Sequence, residues 1–306
     1  METPVLLIVF NRPETTKVVL DSIRSAAPRR LFVAADGPRP GNATDPSRCR
    51  EVLFAVERSV DWDCKVEYFV HKDNLGCGKA PSSAITWFFD NVEEGIILED
   101  DCRPVPQFFP FCSSLLEKYR NESRVAQIGG FNCQSGRKRG RASYYFSRYF
   151  HCWGWASWSR AWEAFDFEMT DYADFSAEGG MENLFERRAV REFWEHNFDD
   201  VLSGKIDGWD YQWAYHNFKK DALSVVPNAN MIDNIGFGMG ATHTFSTPHR
   251  IDAADAGSLG HMVHPHFIVP CQKADDFTYR HHLKLGRFHE AKQLAKRALR
   301  FFRLRA

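Results

Sequence analysis

Net charge is almost absent from this chain: 39 Lys and Arg stand against 40 Asp and Glu, a formal balance of −1. That balance argues against general nucleic-acid binding, which needs a basic face to neutralise phosphates. Long apolar runs are also missing. No stretch reaches the roughly 18 residues needed to span a bilayer. No N-terminal segment has the charged start, apolar stretch and small-residue cleavage site of a secretory signal. These absences lead to the expectation of a cytoplasmic protein. The eight cysteines (Cys49, Cys64, Cys77, Cys102, Cys112, Cys133, Cys152 and Cys271) include no C-x-x-C pair, which speaks against a structural zinc site. Without an export signal they read as reduced thiols, mostly buried. Internal repeats and low-complexity tracts are lacking too.

What is present is an ordinary globular composition, 44% hydrophobic and 26% charged over 306 residues, enough for a substantial core. Val5–Phe10 is a continuous apolar run, the form of a strand covered on both faces. Pro13 opens a helix, and Leu31–Ala35 is a second strand ending at the turn sequence Asp36-Gly37-Pro38. Asp45-Pro46 reads as a helix cap and first turn. Lys65–Val70 alternates as a half-buried strand, a glycine-containing loop leads into a helix near Asn74–Phe89, and Gly95–Glu99 is a fourth strand. Strands alternating with helices imply a doubly wound, mostly parallel sheet, whose ligands bind outside the carboxyl ends of the strands. Arg12, Asp36, Lys79 and Asp101 all lie at or just past such ends. Further on, helices are expected at Gln107–Arg120 and Met181–Leu202, a strand at Val125–Phe131, and a basic loop at Gly136–Arg141. Trp153, Trp155, Trp158 and Trp162 crowd one stretch and read mainly as core, with Trp153 or Trp155 available to line a pocket.

Glu99-Asp100-Asp101 is the most informative feature. Three adjacent carboxylates after an apolar strand repel one another and lose solvation, an arrangement that makes sense if a cation binds there. Mg²⁺ or Mn²⁺, hard ions with oxygen ligands, fit carboxylates plus diphosphate oxygens. Solvated acids at a strand end are the bland alternative.

Four segments, in order, carry a resemblance: ILEDDCRPVPQFF, YFHCWGWASWSRAWE, GWDYQW and MIDNIGFGMGATHT. Together they resemble GT-A glycosyltransferases, most closely the inverting N-acetylglucosaminyltransferase I group and bacterial family-2-like relatives, over about Val5 to His243. The resemblance implies a GT-A fold and transfer of a hexose or N-acetylhexosamine from a nucleotide-diphosphate donor, UDP-linked by preference, to a glycan or lipid-linked acceptor with inversion. It implies that Asp101 ligates the metal, that Asp100 and Glu99 face the donor, that Arg12 and Asp36 contact the nucleotide, and that Asp210 is the general base. His243 becomes a second candidate for metal or diphosphate.

Each role has a rival. Arg12 could merely neutralise Glu14 or Asp36, Asp36 could be a turn residue, and Asp210 could cap the helix that follows. Trp209 and Trp213 are expected to flank Asp210 and partly desolvate it, raising its pKa towards that of a useful base. Lys79 could balance diphosphate charge or be a solvated lysine; its loop, GCGKAPS, does not have Walker A spacing. The expected organisation is a GT-A domain over 1–272, with a nucleotide-sugar half (1–101) and an acceptor half (102–272), then a basic amphipathic tail over 273–306. That tail could lie on the inner face of a membrane or pack as a terminal helix. A nucleotidyltransferase and a non-catalytic glycan- or membrane-binding protein are the other readings. The first lacks the glycine-rich Arg-Lys signature expected near its N-terminus.

Overall fold

A computed structural model describes residues 1–236 and 262–285. Strands β1 (Val5–Val9), β2 (Arg30–Ala35), β3 (Lys65–Val70) and β4 (Glu94–Glu99) run parallel, linked by helices α1 (Pro13–Ala26), α2 (Asp45–Ser59) and α3 (Gly76–Asn91). Every residue of β1 is buried, so its side chains feed two cores in alternation. Val5, Leu7 and Val9 join Leu31, Val33 and Ala35 in a core with α1 and α2. Leu6 and Ile8 join Phe32 and Ala34 in a core with α3. Period-two alternation on a doubly covered sheet produces this division.

The second half widens the sheet. After β5 (Cys102–Pro104) and α4 (Phe108–Tyr119) come β6 (Val125–Gly129), β7 (Tyr144–Ser147) and β8 (Trp155–Trp158). Helices α5 (Ser159–Trp162), α6 (Tyr172–Ala177), α7 (Gly180–Leu184), α8 (Arg188–Leu202) and α9 (Asp210–Lys219) precede β9 (Leu223–Pro227) and β10 (Ile232–Asn234). The eight-stranded order is β3-β2-β1-β4-β8-β6-β9-β7. β8 runs antiparallel between β4 and β6, and β7 antiparallel beside β9. The α/β, doubly wound, mostly parallel architecture is therefore the expected one. The tryptophan-rich stretch is mainly core, as expected, and also forms a strand that its sequence does not announce. It contributes a buried central strand, β8, with Trp155 and Trp158 each 1% exposed.

Two further differences concern boundaries. The single helix expected over 181–202 is two, because the chain turns at Phe185–Arg187. The segment after 272, expected to begin the tail, packs on the domain through 285. In α10 (Gln272–Phe277), the buried Asp275 accepts a 2.6 Å hydrogen bond from Ser147 Oγ. Tyr279, in a π-turn over Thr278–His282, and Leu285 join the core around α8 and α9. The rest of the tail, 286–306, lies outside the described residues. Among those described, no helix is long and apolar enough to cross a membrane, and all eight cysteines are free thiols.

Candidate functional site

β1 and β4 are neighbours, yet their sequence partners leave in opposite directions across the sheet. This is the switch point, where the strand ends open a crevice. The register pairs Ile8 with Glu99, so the residues just past each strand must meet. Arg12 donates to Asp100 through Nε (3.4 Å) and through a short Nη2 contact, and to Asp101 Oδ2 through Nη1 at 2.8 Å. Phe10 N also reaches Asp100 at 3.4 Å. Arg12's partners are thus Asp100 and Asp101, the last two acids of the triplet, and neither Glu14 nor Asp36. Asp100 is 2% exposed, and the Asp101 side chain retains 13%.

The electrostatics are strained in one direction. Burial first, then Asp101 and Asp100, hold Glu99 well above the ordinary carboxylate range, and Asp210 adds to the rise. Burial also raises Asp100, against the pull of Arg12. Burial lowers the Arg12 guanidinium, but its two carboxylate partners raise it more, so it stays charged. One guanidinium therefore serves three carboxylates, and the cluster carries excess negative charge.

A second element presses on this cluster from the side. β10 pairs antiparallel with β5, and Ile235 N donates to the Asp101 carbonyl at 2.8 Å. A Cβ on Gly236 would collide with the Asp101 carboxylate. The start of the late glycine-rich segment thus lies against the last acid. Its remainder, with His243, falls outside the described residues.

Asp210 is the first residue of α9, one past the cap position Trp209, and is exposed. Trp209 and Trp213 are expected to flank it and partly desolvate it. Both turn inward, 4% and 0% exposed, and Trp213 Nε1 donates to Gln127 Oε1 at 2.8 Å. Asp210 nevertheless belongs to the same electrostatic neighbourhood as Glu99. The carboxylates of both add to the burial that raises the Cys152 thiol.

Asp36 and Lys79 sit apart from the acids' direct contacts. The Asp36 carboxylate accepts from Gly37 N, Asn74 Nδ2, Leu75 N and Gly76 N at 2.7–3.2 Å. It ties the Asp36–Pro38 turn to the loop before α3. Lys79 is exposed, with Nζ 5.9 Å from the Phe167 ring centre.

Three residues missed in the sequence shape the site. Asp207 accepts from Cys77 N (3.0 Å) and Gly78 N (2.9 Å), so its carboxylate occupies the start of α3. Gly76 has φ +83 and, with Gly78, leaves no room for a Cβ against Asp207, which is why this loop needs glycines. Asp45 is fully buried, and its carboxylate accepts two Arg39 side-chain bonds and one from Asn11 Nδ2. Thr44, not Asp45, precedes the helix as its cap position. Trp194 is the third, taken up below. Asp207 and Asp45 both stand beside turn signals, but nothing local names their distant partners.

No family model matches the chain, and no curated protein sequence matches it significantly. The fold is similar to that of several solved structures. One is the galactosyltransferase LgtC in complex with donor and acceptor sugar analogs, at 12% identity and TM-score 0.39, covering 72% of each chain. Another is a UDP-glucose pyrophosphorylase complexed with UDP-glucose, at 9% identity and TM-score 0.37, covering 74% of this chain and 90% of that one. A third is mouse xyloside xylosyltransferase 1, at 11% identity and TM-score 0.36, covering 72% and 82%. Likenesses this distant leave the functional reading to the site's own geometry.

Proposed function

We propose that the chain is a metal-dependent glycosyltransferase of the GT-A type. It moves a hexose or N-acetylhexosamine from a nucleotide-diphosphate donor, UDP-linked by preference, to a glycan or lipid-linked hydroxyl with inversion. The observation that carries this reading is the meeting of three carboxylates and Arg12 at the sheet's switch point, with Asp210 in their electrostatic neighbourhood.

Among the described residues no group of three or more acids, histidines or cysteines is arranged to hold a metal ion by itself. What supports a divalent cation is charge, because Glu99, Asp100 and Asp101 outnumber Arg12 and a donor diphosphate would add oxygens of its own. Asp101, the more exposed of the two aspartates, is the residue to ligate it, with Asp100 beside it. Bound there, Mn²⁺ or Mg²⁺ would neutralise charge on the leaving diphosphate. Arg12 and the strand-end acids orient the donor across the crevice. Asp36 acts on the nucleotide side by fixing the loop before α3, and Lys79 is left as an exposed cation near that loop's helix. Asp210 takes the proton of the acceptor hydroxyl as its oxygen attacks the anomeric carbon and the bond to the diphosphate breaks. The proton ends on the Asp210 carboxylate. Exposure of Asp210 suits a base that an incoming acceptor must reach. We place the protein in the cytoplasm, with tail contact at the inner membrane face as part of the same reading.

The test is product analysis. Nucleotide-sugars of UDP, GDP and dTDP are incubated with Mn²⁺ or Mg²⁺, and the released phosphates are identified. Nucleoside diphosphate from one donor, lost in Asp101→Ala, supports the transferase. Pyrophosphate released from a nucleoside triphosphate and a sugar phosphate would make it a nucleotidyltransferase. No turnover or donor binding by folded protein would leave a binding module.

A further inference from the structure

Beside Asp210 the structure encloses a cavity of about 230 Å³ that the donor chemistry does not use. Its walls converge from separate parts of the chain: the Phe131 loop after β6, the segment before β8, Trp194 of α8, Tyr211 of α9, and the π-turn. π geometry is rare and recurs at functional sites. The walls are largely aromatic. Phe131 packs edge-on against Trp153 with centroids 4.6 Å apart, and Trp194 meets Tyr211 at 6.1 Å.

The polar groups on this surface suit hydroxyls. The rings of His151 and His282 lie 5.3 Å apart. Burial, reinforced by His282, pushes His151 down to about 3, so it is neutral near pH 7. A neutral imidazole has one donor and one acceptor; His151 Nε2 already meets Cys133 Sγ at 3.6 Å, so at most one of the pair is left for a hydroxyl. Asp210 is the one carboxylate lining the cavity, and no Lys or Arg lines it among the described residues. An anionic group would find no Lys or Arg there and would face the Asp210 carboxylate. Trp194 is 7% exposed, and its Nε1–H is buried without a hydrogen-bond partner among the described residues. Buried indole N–H groups ordinarily find a partner. An orphan donor on a residue that lines a cavity marks a place for an acceptor oxygen.

We infer that this cavity takes the terminal residue of the acceptor, an uncharged sugar ring. The ring's apolar face lies on the aromatic wall, one oxygen accepts from Trp194 Nε1–H, and the reacting hydroxyl faces Asp210. This rests on the transferase reading and adds the acceptor class to it.

Saturation-transfer NMR and calorimetry test it without donor or metal. The probes are the methyl glycosides of glucose, galactose and N-acetylglucosamine, set against a methyl glucuronide and glucose 6-phosphate. The expected result is binding of at least one neutral glycoside and of neither anion. Trp194→Phe, which keeps the ring and removes the N–H, should weaken that binding about tenfold, the weight of one hydrogen bond. If that variant does not fold, Phe131→Leu shortens the same aromatic wall and should weaken binding in the same direction. No binding of any neutral glycoside, parity with the anions, or full affinity in the variant overturns the inference. Donor binding with Mn²⁺ in the same samples separates the two levels. Glycoside binding without donor binding removes the transferase reading and keeps a sugar site. Donor binding without glycoside binding overturns the cavity assignment alone.

Discussion

Asp45 is a single buried carboxylate that holds the backbone N–H and guanidinium of Arg39 and the amide of Asn11. Chiefly through the Arg39 hydrogen bonds, its pKa is lowered to about 2. The folded value lies below the unfolded one, so its contribution is present above the ordinary carboxylate range and is lost as pH falls through about 2. Asp45→Asn is therefore expected to cost about 2 kcal/mol near pH 7, read by urea unfolding. The deficit should shrink below pH 4.

His216 acts in the same direction with pH but for the opposite reason, since burial favours its neutral form. It is 2% exposed, its Nε2 bonds the Ala161 carbonyl at 3.0 Å, and burial, with Lys220 nearby, pushes its pKa down to about 4. The unfolded chain binds this proton first, so stability falls as pH drops from about 6.5 to 4. His216→Gln should flatten that part of the pH–stability curve, and an unchanged slope would assign the acid sensitivity elsewhere.

Gly236 is a third point where one atom decides. Gly236→Ala should displace the Asp101 carboxylate and weaken metal-dependent donor binding at least tenfold. The unfolding midpoint should move little, because the change sits at the end of a two-stranded ribbon.

Among the elements, α3 and α9 are coupled through Asp207. Its carboxylate caps the start of α3 at Cys77 and Gly78 and lies three residues before Asp210. Asp207→Ala removes two charge-assisted bonds, so about 1–2 kcal/mol of stability should be lost. It also frees the segment that aims Asp210. The expected signature is a lower kcat with donor KM unchanged, partly rescued by Asp207→Asn, which retains an acceptor oxygen. Equal loss in kcat/KM for donor binding would make Asp207 a donor-side residue instead.

The elements also mark what the sequence could reveal. β1, β2 and β4 are apolar runs bounded by Gly, Pro and Asp, and parallel burial writes itself into such runs; β3, at the sheet's edge, mixes polar and apolar residues instead. The meeting of Arg12 with Asp100 and Asp101 follows from their places at neighbouring strand ends. β8 was hidden inside a tryptophan cluster, because a four-residue strand has too little length to display a period. Asp45 reads as a helix cap and Asp207 falls in a turn sequence, since their partners are set by tertiary packing and not by neighbours. The cavity at Trp194 combines five distant segments, and only the folded chain brings them together.

At the scale of the whole molecule, the doubly wound half supplies a cluster of carboxylates and one arginine at its switch point. The antiparallel half and the helices beside it supply Asp210 and an aromatic cavity. Both halves share one sheet, with β8 as the strand that joins them. The proposed reaction spans this junction, so its two carboxylates should fail in different ways when altered.

The measurement that tests this most directly is donor calorimetry paired with turnover for the wild type, Asp101→Ala and Asp210→Asn, with Mn²⁺ present. The account predicts metal-dependent binding of one nucleotide-sugar, abolished in Asp101→Ala. Asp210→Asn should retain that binding while turnover falls about 10²–10⁴-fold, the scale of a lost general base. Undiminished turnover in Asp210→Asn, or metal-dependent donor binding that survives Asp101→Ala, would contradict it.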